Sequence, residues 1–252
     1  MRYLILSDIH ANLEALEAVL ASAASYDKVL LLGDYVGYGA DPNAVIDRVR
    51  ELPVAAQIRG NHDKVAVGVG DVDEFNLVAR EAIIWTARMI TPENRAWLAA
   101  LPQGPAIVDE SVEICHGTTF DEDVYVFDDL DALRSLRSAQ RPLCLYGHTH
   151  MPAIFRLTGD GEGGGNASLD FLGPARGSSF SLAVDGGARY LVNCGAVGQP
   201  RDGDARAAYG LVDTDARSVA ILRARYDVAA AQAKIVAAGL PEVLAQRLGV
   251  GR

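Results

Sequence analysis

The opening of the chain alternates short aliphatic runs with amphipathic stretches, and few folds satisfy that pattern. Residues 2–7, 28–32 and 54–58 are aliphatic runs of strand length. Between the first two, residues 12–24 carry Leu13, Leu16, Val19 and Leu20 at helical spacing, with Asn12 placed to cap the helix. Asp41-Pro42 opens a second helix whose apolar face is Val45, Ile46 and Val49. Strand–helix–strand–helix–strand requires parallel strands joined by right-handed crossovers. The run ending at Leu32 leads directly into Gly33-Asp34. Asp34 therefore stands just past the carboxyl end of a buried strand, where open α/β sheets build their sites.

The rest of the chain is read the same way. Residues 74–90 and 92–101 have helical spacing and are expected to cover a face or rim of the sheet. Strands follow at 106–109, 112–115 and 143–146, with a helix at 130–138. After Gly147, residues 153–157, 180–184, 190–193, 209–213 and 219–223 read as strands joined by turns, which predicts a separate antiparallel sheet. Residues 227–248 close the chain with one or two helices. The glycine-dense segment 159–166 reads as a solvated surface loop, with a lid over the active site as the alternative. No repeat or inter-domain linker interrupts the 252 residues, so one domain over 1–252 is expected.

Composition excludes several functions. The net charge is −10 and no lysine- or arginine-rich block is present, so stable binding to nucleic-acid duplexes is not expected. The three cysteines, Cys115, Cys144 and Cys194, form no CxxC pair and read as small core residues in a reducing compartment. The first residues enter a strand at once, without the layout of a signal peptide, and no apolar run has membrane-spanning length. These features predict a cytoplasmic protein without a membrane partner.

Chemistry concentrates in the five histidines. His10, His62, His116, His148 and His150 all fall in short motifs with Gly, Asp, Asn or a second His, at predicted strand ends or loops. Asp8 and His10 are spaced i, i+2, as are His148 and His150, so on extended backbone each pair aims two side chains at one place. Carboxylate, imidazole and amide donors suit manganese, iron, zinc or nickel. Two metals about 3.5–4 Å apart need a bridge, which the two oxygens of a carboxylate supply, and Asp34 is the candidate. Two divalent ions bring about +4, two aspartates about −2 and a bridging hydroxide about −1, which leaves the site mildly positive for a small phosphate ester.

Asp8-Ile9-His10, Gly33-Asp34, Gly60-Asn61-His62-Asp63, His116-Gly117 and Gly147-His148-Thr149-His150, in that order, resemble the calcineurin-like metallophosphoesterase superfamily. The segment Asn193-Cys194-Gly195-Ala196-Val197-Gly198-Gln199-Pro200-Arg201-Asp202-Gly203-Asp204 is similar to that of the small bacterial and archaeal phosphodiesterase branch, which has Pro and Ser where this chain has Cys194 and Ala196. The resemblance implies a four-layer α-β-β-α sandwich of two mixed sheets flanked by helices. It implies that Asp8, His10, Asp34 and His150 hold one metal, and that Asp34, Asn61, His116 and His148 hold the other. The pair would be divalent or mixed-valence, manganese first. His62 would face the substrate, and hydroxide between the metals would attack phosphorus in line. His62 would stabilise developing charge or protonate the leaving oxygen. Asp63 has two readings, orienting His62 or capping a helix.

The surroundings bear on substrate. Protein serine/threonine phosphatases of this superfamily follow Gly-Asp with Asp-Arg-Gly, whereas here Tyr35-Val36-Gly37-Tyr38-Gly39 follows Asp34. Their arginine clamp is missing, which disfavours a protein phosphatase. Arg201 would replace the clamp if its loop folds over the site; otherwise it pairs with Asp202 or Asp204. Tyr38 stacks on a base or packs under the glycine loop. Asn12 faces the phosphate at a helix start while capping it, and Arg59 reads as structural. The leading reading is a phosphodiesterase. A phosphomonoesterase or dinucleoside-polyphosphate hydrolase is second, and a non-catalytic scaffold third. Edge strands of the second sheet leave a homo-oligomer open.

Overall fold

In the computed structural model, which describes residues 1–159, 167–173 and 179–252, the opening alternation folds as the pattern predicts. Strands β1 (Arg2–Leu6), β2 (Lys28–Leu31) and β3 (Val54–Gln57) pair in parallel, with helices α1 (Leu13–Ser22) and α2 (Pro42–Arg50) as the crossovers. A short helix α3 (Asn61–Ala66) leads to α4 (Leu77–Met89) and α5 (Pro92–Ala99). The helical stretch predicted at 74–90 starts later than its periodicity suggests. Residues Val72–Glu74 form a 3₁₀ turn, and Asn76 caps α4 by accepting from the amides of Val78 and Ala79.

The second half builds β4 (Ala106–Ile107), β5 (Val112–Ile114), α6 (Asp129–Ser138), β6 (Leu143–Tyr146), β7 (Ala153–Thr158), β8 (Ser168–Phe171), β9 (Phe180–Ala183), β10 (Ala188–Asn193), β11 (Ala207–Asp213) and β12 (Ser218–Ala224). Helices α7 (Val228–Ala237) and α8 (Glu242–Val250) end the chain. The strands make two six-stranded mixed sheets, ordered β3-β2-β1-β11-β12-β9 and β4-β5-β6-β10-β7-β8. The expectation of a separate antiparallel sheet after residue 150 is thereby corrected. β9, β11 and β12 extend the first sheet, and β10 pairs in parallel with β6. The opening parallel unit leaves one edge of β1 unpaired, and its N–H and C=O groups need a partner, which β11 supplies antiparallel. A strand's own alternation does not say which edge it will join. Residues 160–166, most of the glycine-dense segment, lie outside the described residues.

The two sheets pack face to face. Along β1, Tyr3 and Ile5 point between the sheets, where they meet Leu30, Val112, Ile114, Leu145 and Val192. Leu4 and Leu6 point the other way, under Leu16, Val19, Val45 and Ile46 of α1 and α2. Helix α6 covers the opposite face through Ala132 and Leu136. The result is the predicted four-layer sandwich. Each fully buried Leu or Ile contributes about 1.5–3 kcal/mol. Among the described residues no helix is long and apolar enough to cross a membrane.

Candidate metal centre

The loops that follow β1, β2, β3, β5 and β6 converge at one end of the sandwich. Two of them zip together through backbone bonds from Asp8 N to Gly33 O (3.1 Å), His10 N to Asp34 O (2.9 Å) and Ala11 N to Tyr35 O (2.8 Å). The backbone is strained here. Asp8, His10, Ala11, Asp34, Tyr38, His148 and His150 have φ between 48° and 67°, and among the described non-glycine residues only Arg217 elsewhere has positive φ. Such conformations cost of order 1 kcal/mol each and persist where surrounding bonds over-determine them. Gly60 is required on steric grounds, because a Cβ there would collide with the Asp34 carboxylate.

Two groups of ligand atoms result. Asp8, His10, Asp34 and His150 form one, and Asp34, His116 and His148 the other, with the atoms of each lying within 4.8 Å of one another. Asn61 Oδ1 lies 3.2 Å from His116 Nε2, beside the second group. Asp34 Oδ2 stands between them, 3.5 Å from His10 Nε2 and 3.4 Å from His116 Nε2. It is buried and has no hydrogen-bond partner, while Oδ1 accepts from the amide of His62.

The ring nitrogens show what this arrangement fits. His10, His116 and His150 each turn Nδ1 to a backbone carbonyl, of Val36 (3.0 Å), Leu32 (2.8 Å) and Gln199 (2.7 Å). Only N–H can satisfy a carbonyl, so Nδ1 carries the proton and Nε2 is left facing the centre. His148 is turned the other way, with Nε2 at the Asp123 carbonyl (3.1 Å), which frees Nδ1. Burial holds His10 down to about 4 and His150 well below the usual imidazole range, so both are neutral at pH 7. Their Nε2 atoms nevertheless approach to 3.1 Å. Two lone pairs facing each other at that distance repel, and a cation between the ligands removes the repulsion. The donor set therefore fits a pair of divalent metals sharing Asp34.

Charge is unevenly spread over the centre. Burial penalises the Asp34 carboxylate, yet His116, His62 and His10 hold it well below the usual carboxylate range. Burial would lower His116, but the Asp34 carboxylate outweighs it and pushes the imidazole up to about 10. Burial lifts Asp8 to about 6 and drops His148 to about 3. His116 is thus the one histidine of the centre protonated at pH 8, and a metal must displace that proton. Metal uptake at pH 8 is expected to release about one proton more from the wild-type protein than from His116→Asn, read from the dependence of calorimetric heat on buffer ionisation enthalpy. The sign follows from the raised value: apparent affinity climbs by up to tenfold per pH unit until about pH 10. Equal proton release from the two proteins would show that His116 is not the proton carrier.

The other sequence candidates divide into those that face the centre and those that support it. His62 belongs to neither ligand group, and its ring packs between His10, Tyr38 and Phe75 at centroid distances of 4.8, 4.5 and 4.7 Å. Its Nδ1 is buried without a partner, against Gly37 (φ +89°), where a Cβ would strike the ring. Asp63 does not hold His62, which corrects the orienting role given to it. Its carboxylate accepts from the amides of Asp34 (2.7 Å), Tyr35 (2.9 Å), Val36 (3.3 Å) and Gly60 (2.9 Å), capping α3 and fixing the Asp34 loop. Asn12 uses both ends of its amide, accepting from Ala15 N and donating to Gly198 O. Its role is to tie α1 to the 198 loop rather than to face a phosphate. Arg59 pairs with Glu122, as a structural residue.

Arg201 and Tyr38 do reach the centre. The Arg201 guanidinium donates to the Tyr38 hydroxyl (3.3 Å) and to Gln199 Oε1 (3.2 Å), while Asp202 holds Arg223 and Asp204 holds Arg206. Tyr38 is 6% exposed, packed on His10 at 4.6 Å and against the α4–α7–α8 cluster. Tyr125 was not foreseen. Its ring stacks on His148 at 3.7 Å. The carbonyls of Val36, Leu32, Gln199 and Asp123 were also missed, because backbone groups leave no side-chain signal. Asn193, in the quoted 193–204 segment, ties the His148–His150 loop by donating to Gly147 O and Thr149 Oγ1.

Residues 1–217 match the calcineurin-like phosphoesterase superfamily domain. The chain belongs to this superfamily. An uncharacterized protein of Methanocaldococcus jannaschii is 34% identical over 258 residues, covering 98% of this chain and 97% of that protein. The crystal structure of a metallophosphoesterase from Sphaerobacter thermophilus aligns with TM-score 0.84 and 40% identity, over 100% of this chain and 99% of that one. A hypothetical protein from Pyrococcus horikoshii OT3, at 18% identity and TM-score 0.76 over 100% and 98% of the two chains, shares the fold. The protein is a metal-dependent phosphoester hydrolase of the calcineurin-like type, with a buried Asp/His cluster suited to divalent metals.

Proposed function

We propose that this calcineurin-like hydrolase is a phosphodiesterase with a dinuclear manganese centre. The observation that carries the reading is Asp34 Oδ2, buried and unbonded between two ligand groups. Asp8, His10 and His150 would complete one metal position, and Asn61, His116 and His148 the other, with Asp34 common to both. Iron, zinc or nickel also suit this donor set. When bound, such a pair supplies Lewis acidity toward the phosphoryl oxygens and an activated water at neutral pH.

The chain's own residues then have distinct tasks. Burial holds His62 well below the usual imidazole range, so it acts as a neutral ring. A neutral imidazole donates a hydrogen bond to developing negative charge without storing a proton. Arg201 trades the neutral Tyr38 hydroxyl for a phosphoryl oxygen, a stronger, charge-assisted bond. Tyr125 and Tyr38 exclude water from the histidine rings they cover. Metals at about +4, Asp8 and Asp34 at about −2 and the nucleophile at about −1 leave about +1, and the Arg201 guanidinium adds about one more, so the site is positive for a phosphate ester.

The test is hydrolysis of bis(4-nitrophenyl) phosphate and 4-nitrophenyl phosphate side by side, with manganese and with chelator. Manganese-dependent turnover favouring the diester is expected. Turnover favouring the monoester would replace this reading with a phosphomonoesterase.

A further inference from the structure

On the far side of Tyr38, Tyr125 and Arg201 from the histidines lies an open pocket of about 440 Å³, lined in part by α8. That volume is within the range of small-molecule sites. Its lining includes Asn76, Gln246, Arg247 and Arg252, so with Arg201 three arginines line one pocket. The chain as a whole carries 33 acidic against 23 basic side chains, yet no Asp or Glu lines this space.

The pairing of arginines makes the pocket distinctive. On the neighbouring loop and strand, Arg206 and Arg223 hold Asp204 and Asp202. Among the described residues, Arg247 and Arg252 have no carboxylate side chain as an ion-pair partner. Arg201 is held by neutral groups, the hydroxyl of Tyr38 and the amide oxygen of Gln199. Gathered like charges repel and favour an anion. The scaffold beneath Arg247 is rigid. Leu244, Ala245 and Leu248 are buried against α7, Gln232 Nε2 donates to Ala245 O at 2.7 Å, and Gly203 N donates to Gly251 O at 2.9 Å. That last bond ties the end of α8 to the loop carrying Arg201. The inner wall is shared with the candidate metal centre, since Tyr125 stacks on His148 and Tyr38 packs on His10.

Building on the phosphoesterase reading above, we propose that this pocket is a subsite for a second phosphate group, and that preferred substrates carry one adjacent to the ester that is cleaved. Arg247 and Arg252 grip the second phosphate, and Arg201 stands between the two phosphates. Guanidiniums suit this task because their planar donor forks match phosphate oxygens two at a time. The second phosphate adds binding energy without taking part in bond cleavage.

Calorimetric titration of ADP and AMP into manganese-loaded His62→Ala protein tests the subsite with the first phosphate's site in place and turnover suppressed, since the two probes differ by one phosphate. ADP is expected to bind about tenfold or more tightly than AMP. Adding Arg247→Ala is expected to lower the ADP affinity to the AMP level, with AMP little changed. Arg247→Gln serves in its place should the alanine variant melt at a lower temperature than its parent. Equal binding of ADP and AMP, no binding of either, or an equal loss for both probes on adding Arg247→Ala overturns the proposal. The diester assay on the wild-type protein judges the parent reading separately. Diester turnover with equal ADP and AMP binding sinks the subsite alone, and an ADP preference without diester turnover sinks the phosphodiesterase reading alone.

Discussion

Asp34→Asn is expected to strip the protein of bound metal while leaving its fold intact. The substitution is nearly isosteric. The side-chain oxygen that accepts the His62 amide at 2.9 Å is kept, and the loop is still held by the four amides bonded to Asp63. What changes is the other end. Asp34 Oδ2, 3.5 Å from His10 Nε2 and 3.4 Å from His116 Nε2, becomes an NH₂ that donates and cannot ligate. The charge holding the His116 proton is also lost, so that imidazole falls back from about 10. Metal content by elemental analysis after gel filtration is expected to fall from about two ions to fewer than one per chain. Turnover is expected to drop by roughly 10³-fold, the scale of losing one preorganised electrostatic group. A variant that keeps two metals and its activity would mean that Asp34 is not the bridge.

His62→Ala separates binding from chemistry. The ring belongs to neither ligand group and is linked to the centre through its backbone, whose amide donates to Asp34 Oδ1. Alanine keeps that amide, so metal content is expected to stay at the wild-type level. The ring's contacts with His10, Tyr38 and Phe75 are lost, and with them the donor proposed for the reacting phosphate. The expected effect is a fall in kcat of about 10²–10⁴-fold with a much smaller change in KM. The pH profile gives a second readout. Because His62 is already neutral at pH 7, its own titration produces no descending limb in wild-type kcat between pH 6 and 8. Full activity in the variant, or a limb in that window that His62→Ala removes, would overturn its role as a neutral donor.

Much of the architecture is legible in local spacing. The aliphatic runs of the first sixty residues, divided by Leu13-Leu16-Val19-Leu20 and Val45-Ile46-Val49, leave little choice but a parallel unit, and the structure has it. The i, i+2 pairs Asp8/His10 and His148/His150 all reach the centre, but the extended backbone assumed for them is absent: all four residues have φ between 48° and 67°, and His148 and His150 fall in different ligand groups. Where the reading failed, the missing quantity was long-range. Residues 209–213 alternate equally well whether they extend a new sheet or pair with β1, and only the unpaired edge of β1 decides. Asp63 follows His62 in sequence, yet its carboxylate points away to four amides, since a helix start turns successive side chains in different directions. Tyr125 stands in an unremarkable aromatic stretch and becomes part of the site only when its loop folds over His148.

The sequence by itself determined the layered α/β fold class, the identity of the residues able to ligate metal and their order along the chain. All of these depend on residue type and on spacings of a few positions. Only the tertiary structure decided which sheet each late strand joins, which nitrogen of each histidine faces the centre, and that Arg201, Arg247 and Arg252 share one pocket. The physical reason is the same in each case. Carbonyl acceptors and charged side chains find partners across 25 to 163 residues of chain, as between His148 and Asp123 or His10 and Val36 at one extreme and Arg201 and Tyr38 at the other. Such pairing is set by where the backbone places donors and acceptors, which residue type does not encode.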